Sequence, residues 1–282
     1  MISEPGFYAE MEGEEYFSDP CSEPSLNQSG IPDLIGRSPY HFAYKHPRLN
    51  PYGRTESGDK AQWLGSAAHR LALGRGKEIS TIRYADYQSS AARDARDQAI
   101  ANGRIPILER DLVRARDMAE ILKRQIAETL EGSPYETEVV IAWVEETQYG
   151  PIWCRGMLDV WCEAQSMALD PKALRIAATP QAFAKTAADS GYDIQAVFYR
   201  RGLSKLIEGQ ARFVNLVVES MPPHGAQAFE LDEASRHVAE RQVAQAMELF
   251  AKCLHSGQWP SYPRGVQALS TPTYYQNQAL NR

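Results

Sequence analysis

Gly156-Met157-Leu158-Asp159, with Asp170-Pro171-Lys172 shortly after it, is the stretch on which the reading of this chain turns. The sequence around it is rich in Val, Ile and Trp, and segments 136–144 and 151–163 flank residues 145–150 as a predicted hairpin. Alternation puts Trp153, Arg155, Met157, Asp159 and Trp161 on one face of the second strand. It also puts Ala168, Asp170 and Lys172 on one face of a short third strand over 167–172. Two acids on neighbouring strands, with a lysine two places beyond the second, suit a divalent metal held beside a phosphodiester. Glu138 on the first strand reaches the same region in one register, and Glu136 or Glu145 in others.

Outward from this centre the period changes to that of helices. The stretch 38–46 reads as a short helix begun by Ser38 and Pro39 and stopped by Pro47, and 48–60 as a polar loop. Over 59–73, Leu64, Ala67, Ala68 and Leu71 form a buried stripe bordered by His69, and Gly65, Ser66 and Ala68 allow close approach of another backbone or a metal site. Helices are expected over 84–101 and 109–130, the second as scaffold. A turn-rich segment follows the third strand, and 192–208 is a helix with Gln195 and Tyr199 four apart on one face. Strands over 213–219 and 226–231 precede a long helix capped by Asp232 and stopped near Gly257. Residues 1–36 read as an extended arm rather than a packed element, docked through its aromatics, and 258–282 as a polar tail.

With 282 residues and 43% apolar content the chain can bury one sizeable core. No apolar run approaches the roughly 20 residues of a membrane span, and the acidic start lacks a signal-peptide pattern, so no membrane partner and a cytoplasmic location are expected. Cys21, Cys154, Cys162 and Cys253 form no CxxC pair and are expected to be reduced thiols. The net charge of -6 argues against a nucleic-acid partner until it is divided: residues 1–36 carry eight acids and no Lys or Arg, leaving +2 for the rest. From Lys172 to Arg212 seven bases face three acids, and Arg175 and Arg200 in that run are candidate DNA contacts.

His69, Glu138, Gly156 to Asp159, Asp170 to Lys172 and Gln195 to Tyr199, in this order, resemble the RecE-type (exonuclease VIII) branch of the PD-(D/E)XK nucleases. Those enzymes carry a helix histidine, a glutamate, a Gly-x-x-Asp strand, an Asp-x-Lys strand and a Gln-x-x-x-Tyr helix. The resemblance extends to Pro5 to Tyr8, Ser29 to Phe42, Tyr192 to Gln195 and Gly257 to Tyr262. It implies an α/β, restriction-endonuclease-like fold: a mixed central β-sheet flanked by helices, divided as an acidic arm (1–36), a nuclease domain (37–262) and a tail (263–282). It implies metal held by His69, Asp159, Asp170 and the Pro171 carbonyl, with Glu138 a less secure addition, Lys172 acting on the attacking water, and Gln195 and Tyr199 in support. Magnesium or manganese suits these ligands. The implied activity is 5' to 3' digestion of linear duplex DNA from its ends, leaving 3' strands for a RecT-type annealing protein, by a ring trimer or tetramer. An endonuclease, or an inactive DNA-end or protein-binding module, are the alternatives.

Two motifs depart from the family pattern. Pro171 and Ala173 flank the lysine where an apolar residue and a Thr are usual, and a proline there predicts a strand that is short, bulged or at an edge. Met157 stands where Arg or Lys is frequent, with Arg155 the candidate substitute.

Overall fold

The computed structural model describes residues 1–50 and 60–280. Its elements in chain order are β1 (Gly6–Tyr8), α1 (Gly13–Phe17), β2 (Leu26–Asn27), α2 (Ile31–Gly36), α3 (Pro39–Lys45), α4 (Lys60–Leu73), β3 (Ile79–Ile82), α5 (Ser90–Ala101), β4 (Ile105–Leu108) and α6 (Glu109–Thr129). There follow β5 (Glu136–Glu145), β6 (Ile152–Cys162), β7 (Met167–Leu174), α7 (Pro180–Ser190), α8 (Tyr192–Leu206), β8 (Arg212–Glu219), β9 (Ala226–Phe229), α9 (Glu233–Ser256) and α10 (Thr273–Leu280). Most of the loop expected over 48–60 lies outside the described residues.

The predicted hairpin is the middle of a seven-stranded sheet in the order β1-β5-β6-β7-β8-β9, with β2 also paired to β6. The ladders from β5 to β7 are antiparallel, whereas β7 and β8 run parallel, as they must when α7 and α8 cross over between them. One face of the sheet packs on α8 and α9 through Val139, Ile141, Trp143, Phe198, Val243 and Phe250. The other packs on α4 and α6 through Val160, Leu169, Leu216, Ala68, Met118 and Leu122. Burying each large apolar side chain contributes about 1.5–3 kcal/mol, so both helical layers are held by their stripes. This is an α/β fold with a mixed central sheet flanked by helices, as expected. No helix among the described residues is long and apolar enough to cross a membrane. All four cysteines are free and buried.

The structure differs from the sequence reading in three places. The helix expected over 84–101 begins only at Ser90, where the Ser89 hydroxyl caps the Ala92 N–H. Short β3 and β4, which the sequence reading missed, form a parallel pair, with α5 as the crossover it requires. Within the supposed turn-rich segment lies α7, capped by the Thr179 hydroxyl, opened by Pro180 and closed by Gly191 at φ 73°.

A larger difference, beyond these three, concerns residues 1–36. They are not an extended arm: β1 pairs with β5, β2 pairs with β6, and Ile2, Tyr16 and Cys21 pack against Val140 and Ala142. The pin is Arg155, 1% exposed, whose Nη1 donates to Asp19 Oδ1 at 2.8 Å and to the Ser25 carbonyl at 3.0 Å. Arg155 is therefore spent on this segment and does not stand in for the basic residue absent at Met157.

His46 belongs to the same network, its Nε2 lying 3.1 Å from the Ser25 carbonyl and 3.3 Å from Asp19 Oδ2. Burial, reinforced by Arg155 and only partly opposed by Asp19, lowers its pKa from 6.5 to about 4. The unfolded chain thus binds the extra proton between those values. The stability from neutral His46 is fully present above about pH 6.5 and is lost as the pH falls toward 4, by about 3 kcal/mol. Urea unfolding of wild type and His46→Gln at pH 7 and below pH 5 checks this: the two curves of stability against pH should converge in acid. Parallel curves would refute it.

Candidate active site

On the edge of β6 away from β5, β2 pairs with Cys154 and Arg155, and β7 pairs with Val160, Trp161 and Cys162. Between them, Gly156 to Asp159 has no strand partner on that edge. If the β6–β7 register continued one step it would set Asp159 opposite Asp170, so the two acids flank the point where the strands part. On the other edge Thr137 pairs with Val160 and Val139 with Leu158, which leaves Glu138 opposite Asp159, and Glu138 adopts the left-handed φ of 54°. A non-glycine residue in that region is strained.

This distortion also breaks the alternation expected along β6. Trp153 and Met157 pack with the N-terminal segment, whereas Trp161 lies in the core beneath α8 and α9. Leu158 and Val160, two apart, likewise enter opposite cores. The strand turns over at Asp159, so Trp161 does not share a face with Trp153 and Met157. On β7 the alternation holds: Ala168 joins the α8 side, and Asp170 meets Gln195 of that helix. Pro171 keeps β7 in unbroken parallel register with Leu216 of β8. The β7–β6 ladder has already ended at Leu169, so toward β6 Pro171 lies on a free edge, where a missing N–H is tolerated.

Asp170 is 3% exposed at its side chain and accepts from Lys172 Nζ at 2.7 Å, Gln195 Nε2 at 2.9 Å and Asn215 Nδ2 at 3.0 Å. Lys172 Nζ also lies 4.9 Å from the centroid of the Tyr192 ring. Asp159 Oδ2 is 3.2 Å from His69 Nε2, which α4 brings across the sheet. Burial disfavours the charge on Asp159, yet His69, with help from Lys172, holds its pKa below the usual aspartate value. Asp170 is raised by burial and then by the Asp159 charge, which together outweigh Lys172. Burial likewise raises Glu138, with Asp159 adding to it against His69. Burial opposes the cations too, but the Asp159 carboxylate raises His69, and Asp170 with Asp159 raises Lys172. Three acids thus crowd one lysine and one histidine.

Tyr199 fills the gap beside Gly156. A Cβ on that glycine would stand 2.6 Å from Tyr199 Cε1 and 2.9 Å from Cδ1, so the Gly-x-x-Asp and Gln-x-x-x-Tyr motifs are two sides of one contact. The Tyr199 hydroxyl meets the Met157 backbone, which lacks a strand partner there. Gly156→Ala should cost about 1–3 kcal/mol in urea unfolding, and Tyr199→Ala should absorb much of that cost in the double variant. Additive losses would show that the contact is not the cause.

The remaining sequence candidates lie elsewhere. Glu145 is held at the far end of β5 by Trp143 Nε1 and both oxygens by Arg201. Glu136 is exposed at the start of β5, and Arg175 is exposed just after β7. Arg200 donates to the Ala211 carbonyl on the α9 side of α8. Asn215 escaped the sequence reading, although an amide inside the apolar run Phe213 to Val218 was a usable signal, and β8 carries it directly opposite Asp170. Among the described residues no group of three or more His, Cys, Asp or Glu side chains is arranged to hold a metal ion.

A mixed sheet that parts beside two acids and a lysine defines a PD-(D/E)XK-like architecture. The chain belongs to the family described as PDDEXK-like domain of unknown function (DUF3799), whose model matches residues 49–271. A solved putative exonuclease from Eubacterium rectale shares the fold at 12% identity, with a TM-score of 0.60 over 95% of this chain and 98% of that one. A phage-related exonuclease from Haemophilus somnus 129PT, 11% identical over 83% of this chain and 96% of that one, has a TM-score of 0.34, too low to carry an argument. No curated protein matches the chain.

Proposed function

We propose that this protein is a divalent-metal-dependent deoxyribonuclease that hydrolyses linear duplex DNA from its ends, 5' to 3', leaving 3' single strands. The observation that carries the reading is the meeting of Asp159, Asp170, Lys172 and His69 where β6 and β7 part. Family membership and the exonuclease name of the Eubacterium rectale protein support it. The donor types suit a hard or borderline cation, which would have to draw together side chains that this structure does not arrange around a metal position, and positive charge there would relieve the crowding that raises Glu138 and Asp170. Asp159, Asp170 and His69 would hold the ion, with Glu138 and the Pro171 carbonyl as further candidates. Bound there, it would supply polarisation of the phosphate and a more acidic water.

The side chains do the rest. Asp170 and the Tyr192 ring hold Lys172 at the mouth of the gap, where its ammonium offsets charge developing on the phosphate and orients water. Gln195 and Asn215 fix the Asp170 carboxylate, and the Tyr199 ring packs on Gly156 beside the β6 edge left open before Asp159. A ring-like homo-oligomer and an annealing-protein partner belong to the same proposal.

The test is end-labelled linear duplex with magnesium or manganese. Loss of label that stops in EDTA, while covalently closed circles survive, is expected. An intact linear substrate at high enzyme with either metal would sink the proposal, and cut circles would turn it toward an endonuclease. One observation favours a second reading, a non-catalytic binding module: both Asp170 oxygens are already engaged by protein donors. Calorimetric titration with manganese separates the two, because an affinity unchanged by Asp159→Ala and Asp170→Ala would favour the module.

A further inference from the structure

A cleft of about 870 Å³ lies between α8 and α9, lined by none of the residues around Asp159 and Asp170. Arg200 and Arg236 both line it. Each donates to a main-chain carbonyl, Arg200 Nε to Ala211 at 2.9 Å and Arg236 Nη1 to Leu231 at 3.1 Å, and neither makes an ion pair among the described residues. The third arginine of the cleft, Arg201, is committed to Glu145. Two guanidinium groups thus share a partly buried space with their remaining N–H donors open. Glu233 and Glu240 also line the cleft, but burial and then Arg236 outweigh Glu230 and Glu240 at Arg200 and leave its pKa below the usual arginine value. Guanidinium groups whose charge is not taken up by an ion pair can receive an anion, and planar guanidinium forks match phosphate oxygens.

Ser204, Gln210 and His237 add hydrogen-bonding groups, and no Phe, Tyr or Trp among the described residues lines the walls. The His237 imidazole is the one ring the described lining offers a base, so recognition falls mainly on phosphate groups. We propose that the cleft between α8 and α9 binds backbone phosphates of a nucleic-acid strand through Arg200 and Arg236. This goes beyond the nuclease reading and does not require the Asp159 cluster to be catalytic.

Binding of a short fluorescent single-stranded oligonucleotide, measured by anisotropy in EDTA over a salt series, tests the cleft apart from catalysis. Arg200→Gln with Arg236→Gln should weaken binding at least about tenfold and reduce the slope of log affinity against log salt by about 1.4, the loss of two phosphate contacts. The matched control is Arg116→Gln with Arg124→Gln on the exposed face of α6, which removes the same charge elsewhere. The melting temperature of the cleft variant should fall by a few degrees at most, since each arginine gives up one main-chain hydrogen bond while the repulsion between them is relieved. Equal weakening by both double variants, or none by the first, would overturn the proposal. Displacement of the oligonucleotide by pyrophosphate would assign the cleft to terminal or free phosphates, and its failure to displace would assign it to the strand backbone.

Discussion

Lys172→Ala is expected to slow metal-dependent loss of end-labelled linear duplex by at least about 10²–10³-fold, the scale of removing one preorganised electrostatic group from a site. The expectation follows from how the lysine is held. Its ammonium lies 2.7 Å from Asp170 and 4.9 Å from the centroid of the Tyr192 ring, and it is 19% exposed, so it is fixed yet open to a ligand. The carboxylates that raise its pKa keep it charged, so the part proposed for it is to offset phosphate charge and orient water rather than to exchange protons. The fold should survive the change. Asp170 keeps its Gln195 and Asn215 donors, and burial with the Asp159 charge already raises its pKa, which lessens the cost of losing the ammonium. Unfolding curves should therefore move little while activity collapses. Wild-type rates in a correctly folded Lys172→Ala protein would remove Lys172 from the chemistry. An inactive wild type would instead count against the nuclease reading as a whole.

How much of this could be seen in the residues follows from the range of each interaction. The hairpin, the Asp-x-Lys strand and α8 and α9 announce themselves through local periods and caps, and the Asp232 cap on the Ser235 N–H is a local signal of that kind. The positions of His69 and Gln195 were legible only as motif order, because α4 and α8 meet the sheet through tertiary packing that no local pattern encodes. Asn215 was hidden for the same reason: its partner Asp170 is 45 residues earlier and is brought opposite only by the parallel crossover. The turnover of β6 at Asp159 contradicts strict alternation, and its cause, Glu138 at positive φ, carries no mark in the sequence. Composition misread residues 1–36 most. An acidic, Pro- and Gly-rich segment looks solvated, yet two short strands and one buried aspartate tie it to β5 and β6.

Asp19→Asn is expected to destabilise the protein by about 3–5 kcal/mol, the usual cost of stranding one member of a buried ion pair. Asparagine is the right replacement because Asp19 sits at φ 64°, a conformation asparagine tolerates, so the change tests charge rather than backbone strain. The aspartate accepts from Arg155 Nη1 at 2.8 Å, Ser25 Oγ at 2.5 Å and the Ser25 N–H at 3.1 Å, with His46 Nε2 at 3.3 Å. An amide has one acceptor oxygen for these donors, and its NH₂ would face others. Arg155, 1% exposed, has no water to replace the lost partner. Pairing Asp19→Asn with Arg155→Met should recover part of the loss by removing the stranded charge. Urea unfolding reads both, and a single variant within about 0.5 kcal/mol of wild type would mean that the pair does not hold the segment. The consequence reaches the candidate site. Arg155 lies in β6 opposite Asn27 of β2, one residue before the unpaired stretch that leads to Asp159, so loosening the segment frees one wall of the gap. Deleting residues 1–36 would remove β1 and β2 from the sheet outright.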